Sequence, residues 1–283
     1  MTIKSKLAAA LGGIALAASM PVQAQSDDWK FSVMPYLWLP SVDGKLRFGP
    51  PAPAGASANV DVSAPNVLDA LDFAFMFNAQ AKKNRWLIAT DLIYVDFGAD
   101  RSTVDSVNFN FGPGPINVST SNIGASADLN LKGWVWTTVG GYSLIDEKKG
   151  NLDLIGGARM LNLDATVNWN LTAAVTATDG SGNTITFART GSDAKSETVW
   201  AAIVGAKGRV AFGDTPWFAN YYVDVGGASS LFTWQGAAGV GYSFKWGDVI
   251  FDYRYLYYSQ SGDDKMIDNL SFGGFALGAN FRF

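Results

Sequence analysis

The stretch "FGGFALGANFRF", residues 272–283, decides the fold. Read in steps of two, Phe275, Leu277, Ala279, Phe281 and Phe283 are apolar, with Gly274, Ala276, Gly278, Asn280 and Arg282 between them. Successive side chains of a strand point to opposite faces, so this period of two predicts a strand. One of its faces is apolar and the other is small or polar, and the pattern runs to the last residue.

The same alternation recurs along the chain. "WKFSVMPYLWL" (29–39) sets Trp29, Phe31, Val33, Pro35, Leu37 and Leu39 against Lys30, Ser32, Met34, Tyr36 and Trp38. "LDFAFMFNAQA" (71–81) sets Phe73, Phe75 and Phe77 against Met76, Asn78 and Gln80. Further segments of this kind lie in 86–97, 125–144, 152–165, 198–212, 217–227, 231–246 and 249–260. Short turns near 82–85, 146–151, 213–216 and 247–248 alternate with longer polar connections near 40–70, 98–122, 172–196 and 259–269. The connection at 228–230 alone breaks the long half of that rhythm. Pro35 lies inside a strand, where its missing N–H predicts a bulge or a position near a rim.

Hydrocarbon offers no hydrogen bonds, so only helices or a sheet closed on itself can cross a membrane. No stretch beyond the first residues holds the roughly 20 apolar residues of a spanning helix. Alternating segments of about ten residues, with Tyr and Trp near their ends, predict the other solution. The expected fold is all-β: a closed antiparallel up-and-down transmembrane β-barrel of about ten strands, with eight and twelve as alternatives. An extra pair from "GKLRFG" and "NVDVS" would make twelve. Short turns on one side and long loops on the other predict that both termini are periplasmic.

The first residues read as a separate unit. Lys4 and Lys6, an apolar run, then Val22 and Ala24 at small-residue positions predict a secretory signal peptide over residues 1–24. Residues 25–283 are then a single outer-membrane barrel domain. Hydrophobic residues make up 48% of the chain and charged residues only 16%, sparse for an exported soluble protein. Losing Lys4 and Lys6 takes the formal charge from −4 to −6, so no basic block remains to hold nucleic acid.

The Phe-terminated last strand resembles the assembly signature of Gram-negative outer-membrane barrels. That resemblance implies a role for Phe275, Leu277, Phe281 and Phe283 as the signal read by the outer-membrane assembly machinery, with outer-membrane lipids as the other partner. "MPYLWLPSVDG" (34–44), "DLIGGAR" (153–159), "WQGAAGVGYSFKWGD" (234–248) and "FDYRYLYY" (251–258), in this order, resemble a family of uncharacterised proteobacterial outer-membrane barrels. The family implies fold and location and no activity.

The chain has no histidine and no cysteine. The enzymes built on small outer-membrane barrels, namely lipid A deacylase, palmitoyl transferase, phospholipase and omptin-type protease, resemble one another in needing an active-site histidine. No such unit can be assembled here, and the ordinary ligands of zinc and haem are missing too. The reading is therefore not an enzyme, with no catalytic residue, metal or cofactor. The acidic run Ser261–Asp264 with Asp268 lacks the ligand spacing of a calcium loop and reads as a solvated loop tip.

What remains is charge on the inner face. Alternation points Lys30, Asp91, Arg159, Lys207, Arg209, Asp224, Asp252, Arg254 and Arg282 inward, and Lys132 with them subject to a bulge nearby. In so narrow a lumen, opposite charges pair across the interior or line a thin water path. The first reading is a narrow channel for passive passage of small solutes of unknown identity. The alternative is a plugged barrel with a structural or ligand-binding role through its long outer loops.

Overall fold

The computed structural model describes residues 29–47, 57–62, 71–97, 107–108, 123–176, 184–262 and 265–283. The expected leader and parts of the long connections, Asp263 and Asp264 among them, lie outside the described residues. All regular structure among the described residues is strand: β1 (Trp29–Arg47), β2 (Ser57–Val62), β3 (Leu71–Lys83), β4 (Trp86–Phe97), β5 (Val107–Asn108) and β6 (Ile123–Glu147) come first. Then follow β7 (Gly150–Thr176), β8 (Thr184–Ala211), β9 (Trp217–Ala228), β10 (Leu231–Ser243), β11 (Gly247–Gln260) and β12 (Ile267–Arg282).

Ten of these strands close a wall. Its order is β1, β3, β4 and β6 to β12, every pairing is antiparallel, and β12 returns to β1. Closure leaves the wall without edge strands, the condition for spanning a bilayer with sheet. The extra pair does not widen the wall to twelve. Instead β2 pairs with the far half of β1, from Val42↔Val62 to Arg47↔Ser57, and β5 adds to β2.

The closing seam carries Pro35. Pairing between β1 and β12 passes from Val33↔Phe281 to Tyr36↔Gly278 in one register, with no paired residues at Met34 and Pro35. The expected bulge is therefore absent. Phe31 exchanges both backbone bonds with Phe283, so the odd residues of β1 face β12, and the N–H that Pro35 lacks is simply a missing rung. Nor does Pro35 sit at a rim, since it is six residues into β1.

One end of the barrel, here the turn end, holds Trp29, Phe283 and the tight turns. Asn84, with φ of 53°, and Gly213, with φ of 62°, supply the left-handed residues two of these turns require. The opposite, loop end is uneven. There β6, β7 and β8 reach 25, 27 and 28 residues, whereas β9 and β10 stop at 12 and 13 and β8 has β9 as a partner only from Ala202 onward.

Outward side chains form a belt with aromatic borders. Trp86 packs on Tyr142 and Trp217 on Tyr242 at the turn end, while Tyr94 packs on Trp134 and Trp234 on Tyr255 nearer the loop end. Trp86 and Tyr94, Trp134 and Tyr142, and Trp234 and Tyr242 are each eight residues apart on β4, β6 and β10. Eight residues of strand span about 27 Å. At a tilt of about 40° that leaves about 20 Å of height, close to the apolar band of an outer-membrane barrel. Between the borders Val223, Val225, Phe251, Phe275 and Leu277 stay about half exposed or more. Leu277 lies roughly midway, so Leu277→Arg is expected to cost about 2–4 kcal/mol in urea unfolding from lipid vesicles. A change near zero would mean that this face does not meet hydrocarbon.

Candidate functional site

The inward positions fall into layers, because each strand alternates in step with its neighbours. At the loop end the lumen is apolar and dry: Val42, Leu46, Leu256, Met266, Ile267 and Leu270 have no measurable exposure. Leu161, Leu163, Ile93 and Phe97 fill in around them. Beside them Glu197 accepts the backbone N–H of Met266 at 2.9 Å and the side-chain amide of Gln260 at 3.0 Å. Those bonds tie β8 to the start of β12 across the mouth.

Below this apolar layer lie two charge layers. Arg159 on β7 and Asp224 on β9 form a bidentate pair with both side chains fully buried; Nη1 reaches Oδ1 at 2.9 Å and Nη2 meets Oδ2. Thr137 takes Arg159 Nε–H at 3.1 Å. The pair is two-pronged, and Nη1 also donates to Thr233 at 3.4 Å, the kind of further hydrogen bonding a buried ion pair needs to offset its desolvation. In the next layer Arg254 crosses the lumen from β11. Its Nη2 meets Asp91 on β4 at 2.6 Å and Gln235 at 2.9 Å, its Nη1 meets the Tyr36 hydroxyl at 2.8 Å, and Tyr36 donates to Asp91 at 2.9 Å. The guanidinium also lies 5.1 Å from the Trp38 ring centre.

Toward the turn end the lumen opens into a polar cavity of about 290 Å³, to which every wall strand contributes. From β10 and β12 it is bordered by the small inward residues Ala237, Ala276 and Gly278. At Gly241 the Phe218 ring occupies the space of a side chain, and the Arg209 guanidinium stacks 3.9 Å from that ring. Lys207 reaches across to Gln80 on β3, with Nζ 2.6 Å from Oε1. Asp252 accepts from Asn220 at 3.2 Å. At the mouth Asp248 gathers Arg209 at 3.6 Å, Arg282 at 3.2 Å, Ser243 and Asn280. Lys30 shares the inward side of β1 but stands exposed on the rim, opposite Lys82.

Lys132 is a correction. It shares the outward face of β6 with Trp134 and Trp136, half exposed, and pairs with Asp96 at 3.5 Å beside Tyr94. No register shift separates β4 from β6 near it, so no bulge turns it inward. Of the last-strand residues, Phe275, Leu277 and Phe283 are outward and more than half exposed, and Phe281 packs on Trp246.

Other lumen residues were not among the expected inward charges. Asp153 shares the inward parity of Arg159 in "DLIGGAR" and accepts from Ser143 and Asn151, so alternation alone could have found it. Asp248 sits in the expected Gly247-Asp248 turn, but β11 already begins there. Tyr36, Thr137 and Gln235 satisfy the arginines, a role that nothing in a neutral residue's identity announces.

No family model matches the chain, and no curated protein matches it. The likeness drawn above from "DLIGGAR" and its companions therefore rests on those motifs alone. Among solved structures, the transport unit of the autotransporter AIDA-I from Escherichia coli superposes with a TM-score of 0.35 and 10% identity, covering 98% of each chain. Ail, the attachment invasion locus protein of Yersinia pestis, gives 0.31 and 11%, covering 91% of this chain and 100% of its own. The toluene transporter TodX of P. putida gives 0.31 and 9%, covering 91% of this chain and 90% of its own. At such scores the fold of this chain rests on its own strand pairings.

The Arg159–Asp224 pair generates a direct test. Asp224→Ala strands a buried guanidinium and is expected to cost about 3–5 kcal/mol in urea unfolding. The double variant Arg159→Met, Asp224→Leu is expected to recover most of that loss. A single variant as stable as the parent would mean that the pair is hydrated.

Proposed function

We propose that this chain is an outer-membrane barrel, plugged toward its loop end, that holds a water-filled polar cavity open at its turn end. Of the two readings open in the sequence, this favours the plugged barrel over the narrow channel. The observation that carries it is the layer of Val42, Leu46, Leu256, Met266, Ile267 and Leu270, all without exposure, above the two bridged arginines. An ion moving from the cavity to the loop end would shed its water among apolar side chains, at a cost of several kcal/mol. The cross-lumen bonds of Arg254 and Arg159 add a second barrier.

The location is supported by the exposed belt and its aromatic borders, which suit lipid and not water. With both termini and the tight turns on the periplasmic side, the cavity faces the periplasm and the uneven β6–β8 rim faces outward. The role is binding or structural. No catalytic unit is proposed, since the chain lacks the histidine that acyl or peptide chemistry on such a barrel would use. Assembly through the outward face of β12 belongs to the same reading.

Conductance is the test. The purified barrel in a planar bilayer is expected to give no unitary steps in molar salt. Reproducible unitary currents would overturn the plugged reading and restore the channel.

A further inference from the structure

The two borders of the outward belt differ in charge. At the turn end Lys30, Arg85, Lys148, Lys149 and Lys245 are exposed and meet no acid among the described residues. Lys82 pairs with Asp146 at 3.0 Å, and the buried Asp248 is already shared by Arg209 and Arg282. The exposed acids left there among the described residues are Glu147, Asp214 and the terminal carboxylate of Phe283. Cations outnumber acids on this rim even when Asp27 and Asp28, which precede Trp29 outside the described residues, are counted with it. The chain as a whole carries a formal charge of −4, so its turn end has the opposite sign.

At the loop-end border the outward cations are answered by carboxylates. Lys132 pairs with Asp96 at 3.5 Å and has Asp164 opposite it on β7, and Lys45 lies 3.9 Å from Asp268. The turn-end cations also sit where lipid headgroups would meet them. Lys83 Nζ lies 5.7 Å from the centre of the exposed Trp29 ring. Arg85 precedes the exposed Trp86, and Lys245 lies between Phe244 and Trp246, two exposed rings stacked at 5.4 Å. Exposed rings of this kind settle at the boundary between hydrocarbon and headgroup, and the long stems of Lys and Arg reach from there to the phosphate plane. A soluble polymer would meet the cations but leave the rings without a partner.

We propose that the turn-end rim gathers anionic phospholipids from the leaflet it meets, with Lys83, Arg85 and Lys245 contacting their phosphates beside Trp29, Trp86 and Trp246. The surface rests on the reading of the belt as lipid-facing and is independent of the plug. The phosphate of a zwitterionic lipid is balanced by its own ammonium, whereas phosphatidylglycerol brings a net negative charge for the rim to answer. Basic residues beside a membrane surface attract such lipids, and the attraction falls off within a Debye length.

The test uses the full barrel folded into phosphatidylcholine vesicles. Lipid chains touching the barrel are immobilised, so spin-labelled phosphatidylglycerol and phosphatidylcholine report their relative association by electron paramagnetic resonance. The parent is expected to favour phosphatidylglycerol by roughly threefold or more. The triple variant Lys83→Gln, Arg85→Gln, Lys245→Gln changes only rim positions and is expected to keep the urea midpoint of the parent while losing that preference. The control Lys45→Gln, Lys132→Gln removes as much as two charges at the loop end and is expected to keep it. Equal association of the two lipids with the parent, a preference that survives the triple variant, or one that the loop-end control abolishes would each overturn the proposal. Cosedimentation with purified peptidoglycan that the triple variant loses, without any lipid preference, would assign the same cations to the cell-wall polymer and also overturn it. The underlying reading is tested separately: a barrel that immobilises neither lipid loses the lipid-facing belt, and one that immobilises both equally keeps the belt and loses the rim.

Discussion

Inward side chains of a ten-stranded wall meet one another across the lumen, so a charge placed there must find its partner on a distant strand. That constraint organises the interior. Arg159 reaches two strands away to Asp224, and Arg254 crosses to Asp91 on the far side. Each guanidinium is fixed by several acceptors at once, which holds the strands at set separations and the arginines in one rotamer. These layers divide the lumen. Above them side chains are large and apolar and exclude water. Below them the wall turns to Gly and Ala on β10 and β12, and space opens.

The same division explains why one barrel can be both rigid and partly hollow. A lumen packed throughout with apolar side chains would bind nothing, and one lined throughout with polar groups would leak. Here the apolar layer at the loop end supplies the packing, and the neutral partners Tyr36, Thr137 and Gln235 satisfy the charges where the two regimes meet. The glycines of "WQGAAGVGYS" are part of this economy of space, since Phe218 and the stacked Arg209 occupy what a side chain at Gly241 would fill.

Much of the architecture was legible in the sequence, because the period of two is a backbone property that every spanning strand must obey. "FGGFALGANFRF" alternates as it does because Leu277 faces out and Gly278 in, and ten such segments make ten wall strands. Alternation fails where it must be counted through an assumed irregularity. Lys132 shares the parity of Trp134 and would point inward only with a bulge near it, and the one register shift of β6 lies far off, at Ser143–Ile145. Pro35 shows the converse, a residue that breaks a rung without shifting the register. Pairing across the lumen was not legible at all. It depends on the stagger between strands, and no local pattern in β7 and β9 announces that Arg159 and Asp224 meet. Burial of Met266 and Ile267 was hidden for the same reason, since the partner that ties them in, Glu197, lies on β8.

The central claim is that the lumen is sealed on one side and open on the other, and a chain without cysteine allows it to be tested directly. A single cysteine replaces Ala237, which lines the cavity, in barrels of known orientation in sealed vesicles. A membrane-impermeant thiol reagent is then applied from either side. The account predicts labelling of Ala237→Cys from the turn-end side only, with a cysteine at Leu270 in the plug unreactive from both. Equal labelling of Ala237→Cys from the two sides would contradict it.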